Sequence, residues 1–304
     1  MKLDSFTKFS WVVLVVNMVV ILWGALVRAT GSGAGCGSHW PLCNGEVVPI
    51  EPRIQTVIEF IHRLSSGTAF LLVVAMLVWA WRAYPPGNRI RTGAVVAFLG
   101  MIAESLAGAS LVLFRWVAFD VSIGRLVMMP IHLIITFSLL ASLVLTAWWA
   151  SGQALQPIQS RGKIFWMLIL ALVGVLVMSM AGALTALGDT VLPVPTLTEE
   201  VIRNLSPLGQ FLVNLRIVHP VIAVGVGAYM FFLIQYLLNA QNGPMTQRLT
   251  QIIGALFLLQ LVAGIVNIYQ QAPVWMQIVH LLLANLVWIV LVMLTATRLT
   301  QPTP

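Results

Sequence analysis

Charged side chains are scarce in this sequence: they make up 8% of its 304 residues, against roughly 25% in an average soluble protein. Uncharged apolar runs fill most of the chain, at residues 9–27, 64–81, 126–160, 164–188, 217–247 and 249–297. About 20 apolar residues cross a bilayer as a helix, because a helix satisfies its backbone polar groups internally. The scarcity of charge therefore excludes a water-soluble globular protein and predicts a polytopic membrane protein. The net charge of +7 is then no sign of nucleic-acid binding.

Prolines, glycines and charged clusters divide these apolar runs into eight predicted helical spans. We place the spans at residues 9–29, 54–81, 92–115, 124–150, 164–187, 208–239, 249–269 and 274–298. The first span follows a short charged segment, but its apolar run is 19 residues long and further spans follow it. We interpret it as a retained span rather than a cleaved signal peptide.

Basic residues are distributed unevenly between the two ends of the spans. The N-terminal segment, the connections after even-numbered spans and the C-terminus are rich in Lys and Arg, and their only acid is Asp4. The positive-inside rule then places both termini in the cytoplasm. Residues 29–53, 116–123, 188–207 and 270–273 are expected to face outward from a multi-pass protein of the cell membrane.

Cysteine is rarer still, with two residues in the whole sequence, and both lie in the first outward segment. Cys36 and Cys43 flank a glycine-containing loop. The outer side of a bacterial membrane is oxidising, so a disulfide can form there and would not be expected on the inner side. For so short a loop, chain entropy predicts a stabilisation of about 2–3 kcal/mol. A structural staple and a redox-active pair are both open interpretations of this pair.

The two halves of the chain resemble each other at a nearly fixed offset. Residues 24–26 (Gly-Ala-Leu) recur at 182–184, residues 104–108 correspond to 260–264, and His62 corresponds to His219. An even number of crossings restores the orientation, so the repeats are parallel. We predict an all-α protein of two pseudo-symmetric four-helix bundles, residues 1–155 and 156–304, with ligand sites between facing helices.

Four of the five histidines lie one each on the even-numbered spans: His62, His132, His219 and His280. Each is roughly 9–18 Å from the outer end of its helix. A single histidine on an apolar face is usually a core residue, but four at matching repeat positions indicate a shared role. Zinc would need tetrahedral clusters with carboxylate or thiolate ligands, whereas facing imidazoles in an apolar bundle suit haem iron. We therefore predict two haem sites, His62 with His132 and His219 with His280.

The halves differ one helical turn before the first histidine of each. Glu59 precedes His62 by three residues, whereas Arg216 precedes His219 by three. An arginine at this depth can bind a haem propionate. A carboxylate would repel a propionate and instead suits proton transfer or stabilisation of a cationic intermediate. We therefore predict that the N-terminal half reacts, with Glu59 as the catalytic residue, and that the C-terminal half holds a permanent haem.

Three further charged residues have more than one interpretation. Arg28 and Arg63 could bind the propionates of the first haem, extend to lipid headgroups, or form a structural ion pair with Glu59. Glu104 is a second intramembrane carboxylate, which is costly without a partner. Its repeat mate is the neutral Gln260, which favours a packing or hydrogen-bonding role.

Taken together, these residues resemble the haem A synthase family (CtaA/Cox15) over the whole chain. The most specific features are the sequence Thr30-Gly31-Ser32-Gly33, the cysteine loop ending in Trp40-Pro41-Leu42-Cys43-Asn44-Gly45, and Glu59-x-x-His62-Arg63. The cysteine pair is typical of the bacterial type of this family. Glu104 departs from the family pattern, in which we expect glutamine.

The resemblance implies oxidation of the methyl group at ring position 8 of haem O to a formyl group, which gives haem A for terminal oxidases. His62 and His132 would flank the substrate haem O, and His219 and His280 would hold haem b as the cofactor. Glu59 would match the acidic residue that the family needs for activity. The expected partners are haem O, membrane lipid, a haem O synthase, an electron-transfer protein and a second copy of the chain.

Two other functions use the same four histidines. A membrane cytochrome b would only transfer electrons between two permanent haems, and it would have no need of Glu59 or the cysteine loop. A haem transporter or chaperone would use the duplicated bundle as a translocation path.

Overall fold

The computed structural model describes residues 4–152, 162–240 and 242–300. In these ranges the helices are α1 (Ser5–Ala29), α2 (Ile54–Ala83), α3 (Arg89–Leu113), α4 (Ile123–Ala150), α5 (Lys163–Val191), α6 (Glu199–Arg203), α7 (Pro207–Asn239), α8 (Pro244–Tyr269) and α9 (Val274–Leu299). All but the short α6 are long and apolar enough to cross a membrane. This confirms the predicted all-α fold with eight spans. The predicted domain boundary at 155/156 lies outside the described residues.

Several helices extend further than the apolar runs that predicted them. The first helix begins at Ser5 because the Asp4 carboxylate caps it, accepting the Thr7 N–H at 2.6 Å. The eighth begins at Pro244 rather than 249, since proline is preorganised for the first helical position. The fifth continues to Val191, past the charged Asp189. Charged residues end the apolar run but not the helix, because the helix continues beyond the hydrocarbon core.

The long helices form two rings of four. In the first half α1 packs on α2, α2 on α3, α3 on α4, and α4 back on α1; in the second half α5, α7, α8 and α9 close the same way. The halves meet through α1 and α4 on one side and α5 and α9 on the other. The cross-contacts α1–α9 and α4–α5 are equivalent under the repeat, as expected for two parallel bundles related by a pseudo-two-fold axis.

A continuous apolar core runs through both bundles and includes side chains of every long helix. At the seam between bundles, the indole N–H of Trp288 on α9 donates to the Phe137 carbonyl on α4 at 2.7 Å. The two rings pack with their centroids 4.9 Å apart. The bundles are thus joined by direct side-chain contact at this seam.

The segment between α1 and α2 is folded back onto the bundle. Cys36 and Cys43 form a disulfide, with their Cα atoms 4.4 Å apart, which confirms the pairing that the sequence allowed. Gly35 is required at its position, because an added Cβ would lie 2.5 Å from the backbone of Gln55 on α2. The loop therefore rests directly on the outer end of α2, the helix that carries Glu59 and His62.

Candidate functional site

A cavity of about 1930 Å³ lies between the helices and is lined from both halves. A pocket for one small ligand typically occupies roughly 300–1,000 Å³, so this space is large enough for two bulky ligands. All four histidines on the long helices line it: His62, His132, His219 and His280. The four residues that the repeat singled out are therefore brought to one connected site.

Small residues make room for the histidine rings. A Cβ added to Gly24 of α1 would lie 3.0 Å from His62 Cε1, and one added to Gly182 of α5 would lie 2.9 Å from His219 Cε1. A Cβ added to Gly264 of α8 would lie 3.2 Å from His280 Cε1. The sequence shows that Gly-Ala-Leu is repeated. Only the structure explains the glycine, which allows an imidazole ring to approach the helix closely.

The histidines have the features expected of ligands to an apolar macrocycle. In all four rings Nδ1 is buried and has no hydrogen-bond partner among the described residues, which is unusual for buried polar atoms. His62 and His132 are close enough to interact electrostatically, as are His219 and His280. The residues present thus fit two haems, one for each predicted pair.

The fourth glycine position shows how the halves differ. An added Cβ on Gly108, the repeat mate of Gly264, would meet nothing within 4 Å. Nearby, His132 Nδ1 lies 3.2 Å from Glu104 Oε2, within ion-pair distance though not aligned as a hydrogen bond. Glu104 Oε1 also accepts the Thr136 hydroxyl at 2.6 Å.

The corresponding residue in the second half makes the corresponding contact. Gln260 Nε2 lies 3.3 Å from His280 Nε2. Glu104 and Gln260 therefore each contact the second histidine of their own half, one as a carboxylate and one as an amide. Glu104 has the hydrogen-bonding role that the sequence favoured, with Thr136 as its donor, and its other oxygen lies beside the predicted iron ligand His132.

Glu59 is buried, with 3% of its surface exposed, and each of its carboxylate oxygens is engaged. Oε2 accepts the backbone N–H of Cys36 at 2.7 Å. Oε1 accepts two N–H groups of Arg63, from Nε at 3.2 Å and Nη2 at 2.5 Å. Of the two ion pairs considered from the sequence, the one with Arg63 is present. The carboxylate nevertheless lines the cavity, so it is both held in place and next to the ligand space.

Arg63 joins this carboxylate to the disulfide loop. Its Nη1 donates to the carbonyls of His39 and, at 2.6 Å, of Leu42. The guanidinium therefore donates its hydrogen bonds to Glu59 and to the loop rather than being available for a propionate. The sequence-predicted motif and the cysteine loop are one hydrogen-bonded unit.

Arg28 crosses to the other bundle. Its Nη1 donates to the Ala186 carbonyl at 2.6 Å and to Thr190 Oγ1 at 2.9 Å, both on α5. Its Nη2 donates to Gln277 Oε1 on α9 at 2.9 Å. The alternative ion pair with Glu59 is therefore not formed, and Arg28 connects the two halves at the outer end of the cavity.

Arg216 lies one helical turn from His219, as the sequence predicted, and it has a carboxylate partner. Its Nε donates to Asp189 Oδ1 at 2.8 Å, and its Nη2 donates to the Leu192 carbonyl at 2.5 Å. All three lie near the outer end of the second bundle. Arg216 lines the cavity, so it stays a candidate for a propionate contact.

Arg125 on α4 was missed by the sequence reasoning. It is 3% exposed and lines the cavity. Its Nη1 donates to the Ala118 and Asp120 carbonyls at 2.7 and 2.9 Å. A signal was available, because Arg125 precedes His132 by seven residues, which places both on one helix face two turns apart.

Comparison with known proteins gives matches over most of the chain. Residues 7–292 match the family described as cytochrome oxidase assembly protein, COX15-CtaA. Proteins named protoheme IX farnesyltransferase from two strains of Thermus thermophilus are 50% identical over 293 residues, which is 96% of this chain and 48% of theirs. A protein named heme A synthase from Bacillus mycoides is 42% identical over 108 residues, 34% of this chain and 35% of that protein. The chain thus spans about half the length of the Thermus relatives.

Proposed function

Because this chain belongs to the COX15-CtaA family of cytochrome oxidase assembly proteins, we propose that it is a haem A synthase. It would be an oxidoreductase that converts the C8 methyl group of haem O into a formyl group. The observation that carries this proposal is Glu59, a buried carboxylate that lines the cavity one turn from His62. Its counterpart in the other half is an arginine, Arg216.

Two haem sites are part of the proposal. His62 and His132 would hold the substrate haem O, and His219 and His280 would hold haem b. The support comes from the shared cavity, the buried Nδ1 atoms without partners among the described residues, and the glycines that pack on the rings. When bound, the haem b would supply one-electron redox chemistry to the reaction.

In this reaction the protein would orient the substrate and accept protons. Conversion of a methyl group and one water into a formyl group releases four electrons and four protons. The electrons would leave through haem b and the proposed electron-transfer protein, and Glu59 is the carboxylate positioned to take a proton. The Cys36 N–H and the Arg63 guanidinium fix its orientation. Hydrogen bonds to both oxygens hold the carboxylate in one place, which is what preorganised catalysis needs.

The site also implies a setting. The cavity would face the outer half of the bilayer, with both termini in the cytoplasm of a cell whose plasma membrane carries the protein. Haem O and membrane lipid are proposed as its small-molecule contacts. A haem O synthase, an electron-transfer protein and a second copy of the chain are proposed as its protein partners.

The name of the Thermus relatives favours a second candidate, transfer of a farnesyl group to protohaem. Those proteins are about twice as long as the matched region, so their name can describe a part outside that region. Prenyl diphosphates are commonly bound through Mg²⁺ and carboxylates. The carboxylates that line this cavity, Glu59, Glu104 and Asp189, are instead engaged by Arg63, Thr136 and Arg216. Oxidation is therefore the better fit.

The proposal is tested by producing the protein in cells that make haem O but no haem A, and then identifying extracted haems by mass. Haem A, or its hydroxylated precursor, is expected. Conversion of protohaem to haem O, tested in cells without haem O, would instead favour the farnesyltransferase. Permanent haems without any conversion would favour an electron-transferring cytochrome b or a haem transporter.

Glu59→Gln is the matched variant for this assay. It keeps the size of the side chain and an acceptor for the Cys36 N–H, but it removes the carboxylate. We expect haem content to stay near wild type while haem A formation falls by about 100-fold, since general acid–base catalysis typically contributes about 10²–10⁴-fold. Normal turnover with intact haem content would show that the reaction does not need the Glu59 carboxylate.

A further inference from the structure

Two arginines at the outer end of the first bundle, the half-buried Arg28 and the buried Arg125, have no carboxylate within ion-pair distance among the described residues. Within the residues that the structure describes, Arg63 is ion-paired with Glu59 and Arg216 with Asp189, whereas no acid lies within ion-pair distance of Arg28 or Arg125. An unpaired charge inside a membrane protein is costly. Both arginines line the cavity, so their partner is expected there.

The contacts of Arg125 leave part of its guanidinium available. Nη1 is used by two loop carbonyls, but the buried Nε has no hydrogen-bond partner among the described residues. The nearby Asp120 carboxylate is turned to Ser122, accepting its hydroxyl at 2.5 Å and its N–H at 3.2 Å. Arg125 is thus a nearly fully buried cation that lines the cavity and has an unpartnered donor.

Arg28 offers a second charge across the same end of the cavity. Its acceptors, Ala186, Thr190 and Gln277, are all neutral. Two charges act on Arg28: the carboxylate of Asp189, which is itself ion-paired with Arg216, and the guanidinium of Arg125. Like charges in proximity repel, and the direct contacts of Arg28 hold its side chain in place without pairing it with a carboxylate.

Both arginines stand above the first histidine pair. Arg28 lies one turn beyond Gly24, the residue that packs on the His62 ring. Arg125 lies on the face of α4 that carries His132, about 10 Å nearer the outer end of the helix. A ligand held by the two histidines would therefore have both guanidinium groups at one end of its site.

We infer that Arg28 and Arg125 form a carboxylate-binding subsite for the macrocycle held between His62 and His132. This inference rests on the proposed function, in which that macrocycle is haem O and its carboxylates are propionates. Charge-assisted hydrogen bonds from the two guanidinium groups would neutralise the ligand and relieve their mutual repulsion. Arg63 was also a candidate for propionate binding from the sequence, but its guanidinium donates to Glu59 and to the cysteine loop instead.

The test compares iron protoporphyrin IX with its dimethyl ester, in which both carboxylates are capped. The full chain is purified in detergent with His219→Ala in every sample, so that only the first pair can provide two axial histidines. Binding is followed by the Soret band for the parent, Arg125→Gln, Arg125→Lys and Arg115→Gln. Arg115 is an exposed arginine of the same α3–α4 connection, and it serves as the matched control.

The parent is expected to bind the free acid more tightly than the ester. Arg125→Gln should weaken free-acid binding by about 10- to 100-fold, the range for hydrogen bonds to charged groups, while ester binding stays within about twofold. Arg125→Lys should recover part of the difference, and Arg115→Gln should leave both ligands unchanged.

Two results would overturn the subsite. Equal weakening of acid and ester by Arg125→Gln would mean that Arg125 only supports the fold. A parent without preference for the free acid would mean that the arginines serve another anion, such as a lipid phosphate. Because this titration uses a haem that is not the substrate, its outcome is independent of the haem O conversion assay.

Discussion

Single residues decide how the two halves differ, since their histidines and glycines are nearly the same. Glu59 takes the place of Arg216, and Glu104 takes the place of Gln260. A carboxylate beside a ligand histidine raises its basicity, so Glu104, 3.2 Å from His132, would make the first site the more electron-rich. Glu104 thus puts a carboxylate next to the pair that we assign to the substrate, whereas the charge of Glu59 is balanced by Arg63.

The glycines that face histidines give a residue-scale prediction. In Gly182→Ala the new Cβ would lie 2.9 Å from the His219 ring, which must tilt away from the position in which we propose that it binds haem. We expect haem binding at this site to weaken by at least about fivefold, the equivalent of about 1 kcal/mol of overpacking. Haem retained after purification, measured by its absorption, reports the change.

The control for this substitution lies on α7. An alanine at Gly225 would meet nothing within 4 Å, and its position is exposed. Gly225→Ala should keep full haem content and stabilise its helix slightly. Equal haem loss in both variants would show that the alanine acts through the helix and not through the histidine.

At the scale of elements, the cysteine loop and α2 act as one unit. Three features connect them: the Cys36 N–H on Glu59, the Arg63 contacts with the His39 and Leu42 carbonyls, and the close backbone approach at Gly35. The sequence left two interpretations of the disulfide open, a structural staple and a redox-active pair. The structure adds a third, in which the disulfide holds the loop that positions the candidate catalytic carboxylate. Loop and helix are adjacent in sequence, but only the fold turns the loop back onto the helix.

Removal of the disulfide tests this unit. The double variant Cys36→Ser, Cys43→Ser is expected to lower the free energy of unfolding by about 2–3 kcal/mol. It should also slow haem A formation by about 10- to 100-fold, the range for loss of a hydrogen bond to a charged group. Thermal unfolding and product mass would be measured on the same preparation.

The matched loop variant is Ile50→Ala, because the Ile50 side chain is 79% exposed. It should leave both stability and turnover unchanged. Full turnover in the double serine variant would contradict a positioning role for the loop and leave the disulfide as a staple only.

At the scale of the whole molecule, the two bundles form one site rather than two separate ones. The cavity is lined from both halves, and Arg28 of the first bundle bonds to α5 and α9 of the second. Two ligands held in one connected cavity could exchange electrons without leaving the protein. Under the proposed function, the duplication would supply both haem sites, and the seam between the bundles would connect them.

The orientation of the whole chain is testable by thiol labelling. Pro86→Cys lies in the α2–α3 connection and Thr196→Cys in the α5–α7 connection, and both positions are exposed. The positive-inside rule predicts that a membrane-impermeant thiol reagent labels Thr196→Cys in intact cells and Pro86→Cys only after lysis. The native cysteines, joined in a disulfide, should not react. The reverse labelling pattern would invert the topology.

By itself the sequence determined the eight spans, the repeat, the disulfide pair and the residues that line the cavity at His62, His132, His219 and His280. These follow from local chemistry: an apolar run must be helical in a bilayer, and rare polar residues in it must face the interior. Helix ends were less well predicted, because caps such as Asp4 and Pro244 act outside the apolar run.

Only the tertiary structure decided which partner each charged group takes. Arg28 contacts a glutamine 249 residues away, and Glu59 accepts a backbone N–H 23 residues earlier in the chain. No periodicity encodes such pairs, since they depend on which helices pack together and how far each side chain reaches. For the same reason the sequence left the partner of Arg63 open, and it missed Arg125 as one of the arginines that line the cavity.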